Sequence, residues 1–367
     1  MKPFRYGGVV SGDFFCPRQK LEKTVRTYVE NCQNTVIFGA RRMGKTSLIW
    51  ETTRRMKGVR VLYADLLNVR TLADFCDRLA SGASRMTSSK SIVHKTLGFL
   101  SRLRPTISLD SMTGLPVISV DARLANEMAS IDDVLNMIAA HRKDGKLCVV
   151  LDEFQEILKM DKPDQVLALL RSRIQFMDDV CFLFSGSVRS QMVKIFSDPD
   201  SPFYKSALSV SVGPIDDADF IPFIRSRFKS AKRKIDDALI LKVLDYTGRV
   251  SGDVQELCDS LWQISEPGDT LTEASLTSAI EEIFRKESDA FAQMTSELTK
   301  FQLKALTAVA RYGGRNVYSS EFMSKAGLPS SPATKRALDR LMAMNVLYCF
   351  EHEYRFFNPF FRDWLLR

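Results

Sequence analysis

The stretch Gly39-Ala40-Arg41-Arg42-Met43-Gly44-Lys45-Thr46 matches the pattern G-x-x-x-x-G-K-[ST] at every fixed position. A short apolar run at Asn34 to Phe38 precedes it, and helical periodicity from Lys45 to Met56 follows it. Glycines let the backbone curl so that its N–H groups point at phosphate oxygens, and the helix start behind them adds positive potential. The sequence therefore predicts a phosphate-binding loop.

Within this loop, two side chains have specific tasks. Lys45 should reach the β- and γ-phosphates, and the Thr46 hydroxyl should ligate Mg²⁺. We therefore expect ATP and Mg²⁺ as cofactors. The predicted nucleotide contacts are Gly39, Ala40, Arg41, Arg42, Met43, Gly44, Lys45, Thr46 and Ser47.

A second motif is the run Leu147-Cys-Val-Val-Leu-Asp152-Glu153. A continuous apolar run is typical of a parallel strand buried on both faces. Asp152 fits the role of holding Mg²⁺ through its water shell, and Glu153 is placed to orient or deprotonate an attacking water. Such a pair alone is more often a solvated strand end, but its position downstream of the loop favours catalysis.

The third motif is the run Phe182-Leu-Phe-Ser185-Gly186-Ser187, which ends another buried strand in small polar residues. A strand beside Asp152 would deliver a polar group toward the γ-phosphate. Ser187 or Ser185 fits that role, and we assign Ser187 to catalysis. The alternative for either serine is an ordinary turn at the end of a strand.

The chain alternates strand and helix over residues 1–215, which predicts an α/β core with a parallel sheet covered by helices on both faces. Residues 106–121 alternate apolar and polar, which predicts a β-hairpin insertion. The helix from Leu72 is expected to end at Ala80, with a Ser-rich loop over 81–91.

Residues 216–291 read as a helical domain, with Asp216, Asp236 and Thr272 as N-caps. Residues 292–367 read as three helices followed by two short strands, which is the arrangement of a winged helix. We therefore predict three domains.

The composition is that of an ordinary globular protein, with 45% hydrophobic and 26% charged residues and a formal charge of +8. No apolar run approaches the ~20 residues of a membrane-spanning helix, and residues 1–10 have no apolar core of signal-peptide type, so we expect a cytoplasmic protein. Seven scattered cysteines and three histidines disfavour a zinc site.

The motif order GARRMGKTSLI, LDEFQEI, FLFSGSV and YTGRVSGDVQELCDSLW resembles the archaeal-type ATPases of the STAND class, relatives of AAA+ proteins and of Orc/Cdc6 initiators. The resemblance implies a P-loop NTPase core of AAA+/STAND type, a helical lid domain and a C-terminal winged-helix domain. The segment Gly12 to Leu21 is similar to the family's F-x-G-R-x-x-E-L approach to the nucleotide, but Cys16-Pro17 and the shifted acid Glu22 depart from that pattern.

The resemblance also implies that the helical domain closes over the nucleotide. The run Gly252-Asp253-Val254-Gln255 is similar to the Gly-Asp-x-Arg of initiators, whose arginine senses the nucleotide. Gln255 stands at the place of that arginine and lacks its charge. Arg249 is therefore a candidate lid sensor, and the alternative is a solvated loop arginine.

The last domain has an excess of basic residues, with 11 Lys and Arg against 6 Asp and Glu between Thr295 and Arg367. A recognition helix would present Thr334, Lys335, Arg336 and Arg340 to duplex DNA. The alternative is a module that binds a protein partner.

The expected function is that of an ATP-binding and ATP-hydrolysing switch, in which ATP sets the angle between lid and core and the winged helix reads it out. Two alternatives remain open: an oligomeric, DNA-associated motor or loader, and a non-catalytic scaffold that holds nucleotide permanently. A small-molecule kinase is disfavoured, because such chains rarely carry a winged helix.

Overall fold

The computed structural model describes residues 2–86, 105–109, 116–120, 127–141, 145–187, 189–350 and 352–367. Within it the chain divides into two compact units. The first unit is Val9–Gly213, and the second is Met1–Gly8 together with Pro214–Arg367. Among the described residues, no helix combines the length and apolar character needed to cross a bilayer.

The first unit is built on a parallel sheet, as predicted. Its strands are β1 (Thr35–Phe38), β2 (Val59–Asp65), β3 (Pro105–Leu109), β4 (Pro116–Val120), β5 (Lys146–Asp152), β6 (Val180–Gly186) and β7 (Leu208–Ser211). Among the described residues, five strands form one sheet in the order β2-β5-β6-β1-β7, and all neighbours are parallel. β6 is buried throughout and β5 is buried after Lys146, as expected for strands covered on both faces.

Six helices of this unit precede or follow its strands among the described residues. They are α1 (Gln19–Glu30), α2 (Lys45–Arg54), α3 (Leu72–Arg85), α4 (Glu127–His141), α5 (Pro163–Ile174) and α6 (Arg189–Phe196). Short 3₁₀ segments occur at Gly12–Phe14 and Phe154–Lys159. Apolar residues of α3, α4 and α5 pack with the sheet into one core, which also holds Phe154, Phe184 and Phe203.

The loop predicted from residue 81 is wrong in its first residues, because α3 continues to Arg85. A Cβ atom on Gly82 would lie 2.6 Å from the carbonyl oxygen of Tyr63 in β2. The glycine therefore allows close packing between this helix and the sheet, rather than marking a helix end. Residues 87–91 of the predicted loop lie outside the described residues.

The hairpin predicted over 106–121 is confirmed in its strands. β3 and β4 pair antiparallel, with Ile107 opposite Ile118. Residues 110–115 between them, and residue 121, lie outside the described residues.

The second unit is mainly helical. Its elements are α7 (Asp217–Ser230), α8 (Asp237–Tyr246), α9 (Ser251–Gln263), α10 (Glu273–Ser296), α11 (Lys300–Tyr312), α12 (Ser320–Ala326), α13 (Ser331–Ala343), β8 (Leu347–Phe350), β9 (Glu353–Phe356) and α14 (Pro359–Trp364). The run of α11, α12 and α13 followed by the antiparallel pair β8–β9 is the predicted winged-helix arrangement.

Local capping explains where several of these helices start. The side chains of Asp236 and Thr272 accept hydrogen bonds from the backbone N–H groups of Leu239 and Ser275, as predicted. Asp216 occupies the N-cap position of α7, but its side chain makes no capping hydrogen bond.

The first eight residues belong to the second unit rather than to the core. Phe4 is fully buried, and its ring centroid lies 4.9 Å from that of Phe228. Lys2 forms a 2.9 Å ion pair with the buried carboxylate of Asp259. The division of the remaining residues into domains at 216–291 and 292–367 stays a prediction.

Candidate functional site

The predicted phosphate-binding loop joins β1 to α2, and two of its glycines are required by geometry. A Cβ atom on Gly39 would lie 2.2 Å from the carbonyl oxygen of Val212, just after β7. Gly44, the N-cap residue of α2, has a φ of 83°, in the left-handed region that favours glycine. The loop therefore curls tightly at the carboxyl end of β1, where its amides and the start of α2 can receive an anion.

Lys45 lies over this loop. Its side chain is buried, and Nζ donates hydrogen bonds to the carbonyl oxygens of Gly39 (3.0 Å) and Ala40 (3.2 Å). Burial lowers the pKa of Lys45, and the nearby carboxylates of Glu153 and Asp152 oppose that effect. An ammonium group at this loop is suited to pairing with phosphate oxygens.

The two predicted magnesium ligands meet directly. The Thr46 hydroxyl donates a 2.7 Å hydrogen bond to Oδ2 of Asp152, at the end of β5. A hydroxyl and a carboxylate oxygen this close fit Mg²⁺, which prefers oxygen ligands and keeps several waters. Among the described residues, no group of three or more acidic, His or Cys side chains could hold a metal ion.

Tyr63 is a member of the site that the sequence did not reveal. Its hydroxyl, at the carboxyl half of β2, donates a 2.7 Å hydrogen bond to the same Oδ2 of Asp152. Burial and the Asp152 carboxylate raise the pKa of Tyr63 well above its usual value, so it stays a donor. The sequence could have indicated the contact with Asp152 only if the pairing of β2 with β5 had been known, because that register places Tyr63 opposite Val150.

Glu153 and Ser187 are also brought together. Ser187 Oγ, just after β6, donates a 2.7 Å hydrogen bond to Oε2 of Glu153. Glu153 itself has a φ of 51°, a left-handed conformation that is uncommon outside glycine. Ser185, the alternative to Ser187, is fully buried, and its hydroxyl makes no hydrogen bond to any described residue. The structure therefore brings Ser187, rather than Ser185, to Glu153, and the catalytic role of Ser187 stays a prediction.

Gln155 is a second residue that sequence reasoning missed. Its side-chain Nε2 donates a hydrogen bond to Oε2 of Glu153, the oxygen that also accepts from Ser187. Gln155 is buried near the start of the 3₁₀ segment at Phe154–Lys159. Its burial and its partner are set by the folded structure, so the sequence offered no signal for this contact.

The other residues predicted to contact the nucleotide differ in their exposure and in their hydrogen-bond partners. Arg41 is exposed, whereas Arg42 is partly buried with a φ of 65°. The carbonyl oxygen of the buried Met43 accepts a 2.7 Å hydrogen bond from the guanidinium of Arg18. Ser47 Oγ accepts from the backbone N–H of Val10 at 3.0 Å, so its hydroxyl fixes the approach segment onto α2.

The candidate lid sensors, Arg249 and Gln255, lie in the second unit. The guanidinium of Arg249 bonds to the carboxylates of Asp217 and Asp245, and these hydrogen bonds raise its pKa above the usual value. Gln255 is buried, and its Oε1 accepts a 3.2 Å hydrogen bond from the backbone of Arg5. Their role as sensors stays a prediction.

The predicted DNA contacts on α13 need one correction. Thr334 is fully buried, and its hydroxyl donates to the carbonyl oxygen of Ser330 at 3.0 Å. It faces the interior, so the prediction that it contacts DNA is wrong. Lys335, Arg336 and Arg340 are exposed on the same helix.

Comparisons with known proteins agree with this architecture. The family described as an ATPase domain predominantly from Archaea matches residues 15–257, and a probable winged helix domain matches residues 289–367. No curated protein sequence matches the chain.

Three solved structures resemble the whole chain. The Walker-type ATPase PABY2304 of Pyrococcus abyssi is 16% identical with a TM-score of 0.67, covering 98% of both chains. The Aeropyrum pernix Orc1 protein in complex with DNA is 14% identical with a TM-score of 0.53, covering 96% of this chain and 93% of its own. The Aeropyrum pernix Orc2 protein in ADPNP–ADP complexes is 12% identical with a TM-score of 0.50, covering 100% and 97%.

At these identities the solved structures show the fold alone, a P-loop NTPase core with a C-terminal winged helix. The family assignment follows instead from the match over residues 15–257, which is more than half of the chain and includes the phosphate-binding loop and the Asp152-Glu153 pair. The chain belongs to the family of ATPase domains found predominantly in Archaea.

Proposed function

We propose that this protein binds ATP·Mg²⁺ and hydrolyses it slowly, as a regulatory switch. The observation that carries the proposal is the meeting of four side chains at one edge of the sheet: Thr46 bonds to Asp152, and Ser187 bonds to Glu153. The carboxyl ends of parallel strands are where open α/β sheets bind ligands. Membership of an ATPase family supports the same activity.

Binding would rest on the loop and on Lys45. The loop amides and the buried ammonium of Lys45 would hold the β- and γ-phosphates. Thr46 and Asp152 would hold Mg²⁺, which when bound neutralises charge on the phosphate oxygens. Ser187 stands at the end of the strand beside Asp152, where its hydroxyl would orient Glu153 through their hydrogen bond.

Hydrolysis would proceed by in-line attack of water on the γ-phosphorus. As the new O–P bond forms, the bond to the leaving β-phosphate oxygen breaks, and Glu153 orients the water and receives its proton. Lys45 and the loop amides would stabilise the charge that develops on the transferred group.

We propose duplex DNA as the partner of the winged helix. The exposed cations Lys335, Arg336 and Arg340 lie along α13, and exposed cations on such a helix suit phosphate contacts. The similar fold of Orc1, which was solved with DNA, supports this choice.

Two measurements test the proposal: the ATPase rate and the particle mass, each with and without duplex DNA. A switch predicts slow Mg²⁺-dependent turnover, DNA binding and an unchanged protein mass. ATP-dependent assembly with DNA-stimulated hydrolysis would instead identify a motor or loader. Nucleotide retained without turnover would identify a scaffold.

A further inference from the structure

Gln155 makes a contact that packing alone does not explain. The residue is only 2% exposed, and its Nε2 donates to Oε2 of Glu153. Its own Oε1 is buried and accepts no hydrogen bond from any described residue. Leaving a buried acceptor unpaired costs stability, and an apolar side chain of the same size would avoid that cost. The amide is therefore better explained by the bond to Glu153 than by stability.

The end of β6 is shaped to receive this amide. A Cβ atom on Gly186 would lie 2.5 Å from Oε1 of Gln155 and 2.4 Å from Sδ of Met192. The glycine therefore leaves the space that the Gln155 side chain occupies. The next residue, Ser187, supplies the second donor to Glu153 at 2.7 Å. Gly186 and Ser187 therefore both help to orient the Glu153 carboxylate, since the glycine leaves room for Gln155 and the serine donates a hydrogen bond.

Both donors converge on one oxygen of Glu153. Oε2 accepts from Gln155 and Ser187, while no described residue donates to Oε1. Two hydrogen bonds to one oxygen fix the orientation of a carboxylate whose backbone is already in the left-handed region. Both donors are neutral, so they orient the carboxylate without pairing its negative charge with a cation.

We propose that Gln155 is a positioning residue for Glu153: with Ser187 it anchors Oε2, so that Oε1 is presented to the attacking water. This inference rests on the proposed hydrolysis of ATP. Gln155 itself exchanges no proton with the substrate or the water, because a side-chain amide does not titrate in the pH range accessible in water. Its effect on turnover passes through Glu153 alone.

The test compares Gln155→Met, Glu153→Gln and the double variant in full-length protein. Met is unbranched and of similar length, so it fills the space without donating a hydrogen bond. Gln175→Met, at the exposed end of α5, is the matched control. Turnover and ATP affinity are measured separately, and thermal unfolding reports folding. Gln155→Asn, which keeps an amide but shortens its reach, is the second variant if Gln155→Met does not fold.

We expect Gln155→Met to lower kcat by about 10- to 100-fold, part of what a general base contributes, with ATP affinity unchanged. In the Glu153→Gln background the same substitution should have no further effect, since coupled residues are not additive. The proposal is overturned if Gln155→Met keeps the wild-type kcat, or if it lowers kcat by the same factor in wild-type and Glu153→Gln protein. Either result leaves the proposed hydrolysis through Glu153 intact. A Glu153→Gln variant with wild-type turnover overturns both.

Discussion

The carboxylate of Asp152 is held in place by hydrogen bonds from three neighbouring residues. Its Oδ2 accepts from Thr46 and Tyr63, and its Oδ1 accepts from the backbone N–H of Glu153. Partners around a metal ligand orient it and tune its affinity, so Tyr63 should matter for Mg²⁺ although it need not touch the ion.

Tyr63→Phe should raise the Mg²⁺ concentration needed for half-maximal ATPase activity by about tenfold, because Asp152 loses an orienting donor. A magnesium titration of the rate measures this effect. Tyr204→Phe, at a partly exposed tyrosine of the same unit, is the control. Equal magnesium titrations for wild type and Tyr63→Phe would contradict this role.

Lys45 gives the site a pH dependence. Burial lowers its pKa in the free protein, whereas bound phosphates would raise it. At a pH between those two values, ATP binding must take up a proton, so ATP affinity should fall as pH rises through the lowered pKa. Calorimetry in two buffers of different ionisation enthalpy, repeated at a series of pH values up to the ordinary lysine pKa of about 10.4, measures the proton taken up on binding. An ATP affinity that stays constant over that whole range would contradict the lowered pKa.

Among the elements, those with strong periodic patterns were predictable. The strands at β1, β2, β5 and β6 follow from apolar runs, and the loop between β1 and α2 follows from its glycines and Lys45. Tyr63 and Gln155 could not be predicted, because their partners are set by strand register and side-chain direction. β7 was missed because Leu208–Ser211 is short and only one of its residues is buried.

The end of α3 was missed for a related reason. The Ser-rich composition of residues 81–91 predicted a loop, but Gly82 continues α3 and packs against the carbonyl oxygen of Tyr63. Gly82→Ala should therefore destabilise the protein by about 1–3 kcal/mol through overpacking, despite the better helix propensity of Ala.

Urea unfolding measures the change for Gly82→Ala. Gly213→Ala is the matched control, because its Cβ would meet nothing within 4 Å, and it should stay within about 1 kcal/mol of wild type. A stabilised Gly82→Ala variant would show that α3 does not pack this closely on β2.

The candidate nucleotide site lies in one unit of the molecule, and the winged helix lies in the other. Two sets of cations on the winged helix could meet DNA. One is Lys335, Arg336 and Arg340 on α13, and the other lines a groove of about 420 Å³ between α11 and α12, with Lys300, Lys304 and Arg311 among its residues. The charges alone do not show which of the two surfaces binds DNA, but substituting each set of cations in turn does.

Replacing Lys335, Arg336 and Arg340 by Ala should weaken duplex DNA binding at least about tenfold and reduce the salt slope of log K by about 2.7. Fluorescence anisotropy over a salt series measures both quantities. The same charge change at Lys300, Lys304 and Arg311 should leave most of the binding intact. A larger loss from the groove variant would place DNA on the α11–α12 surface instead.

The most direct measurement is Mg²⁺-dependent ATP turnover by Glu153→Gln, with ATP affinity determined on the same sample. The arrangement of Glu153 beside Ser187 and Gln155 predicts wild-type affinity and a turnover reduced by about 100-fold or more. Lys45→Ala should instead lose ATP binding. Wild-type turnover by Glu153→Gln, or a wild-type protein that binds ATP without hydrolysing it, would contradict the proposed active site.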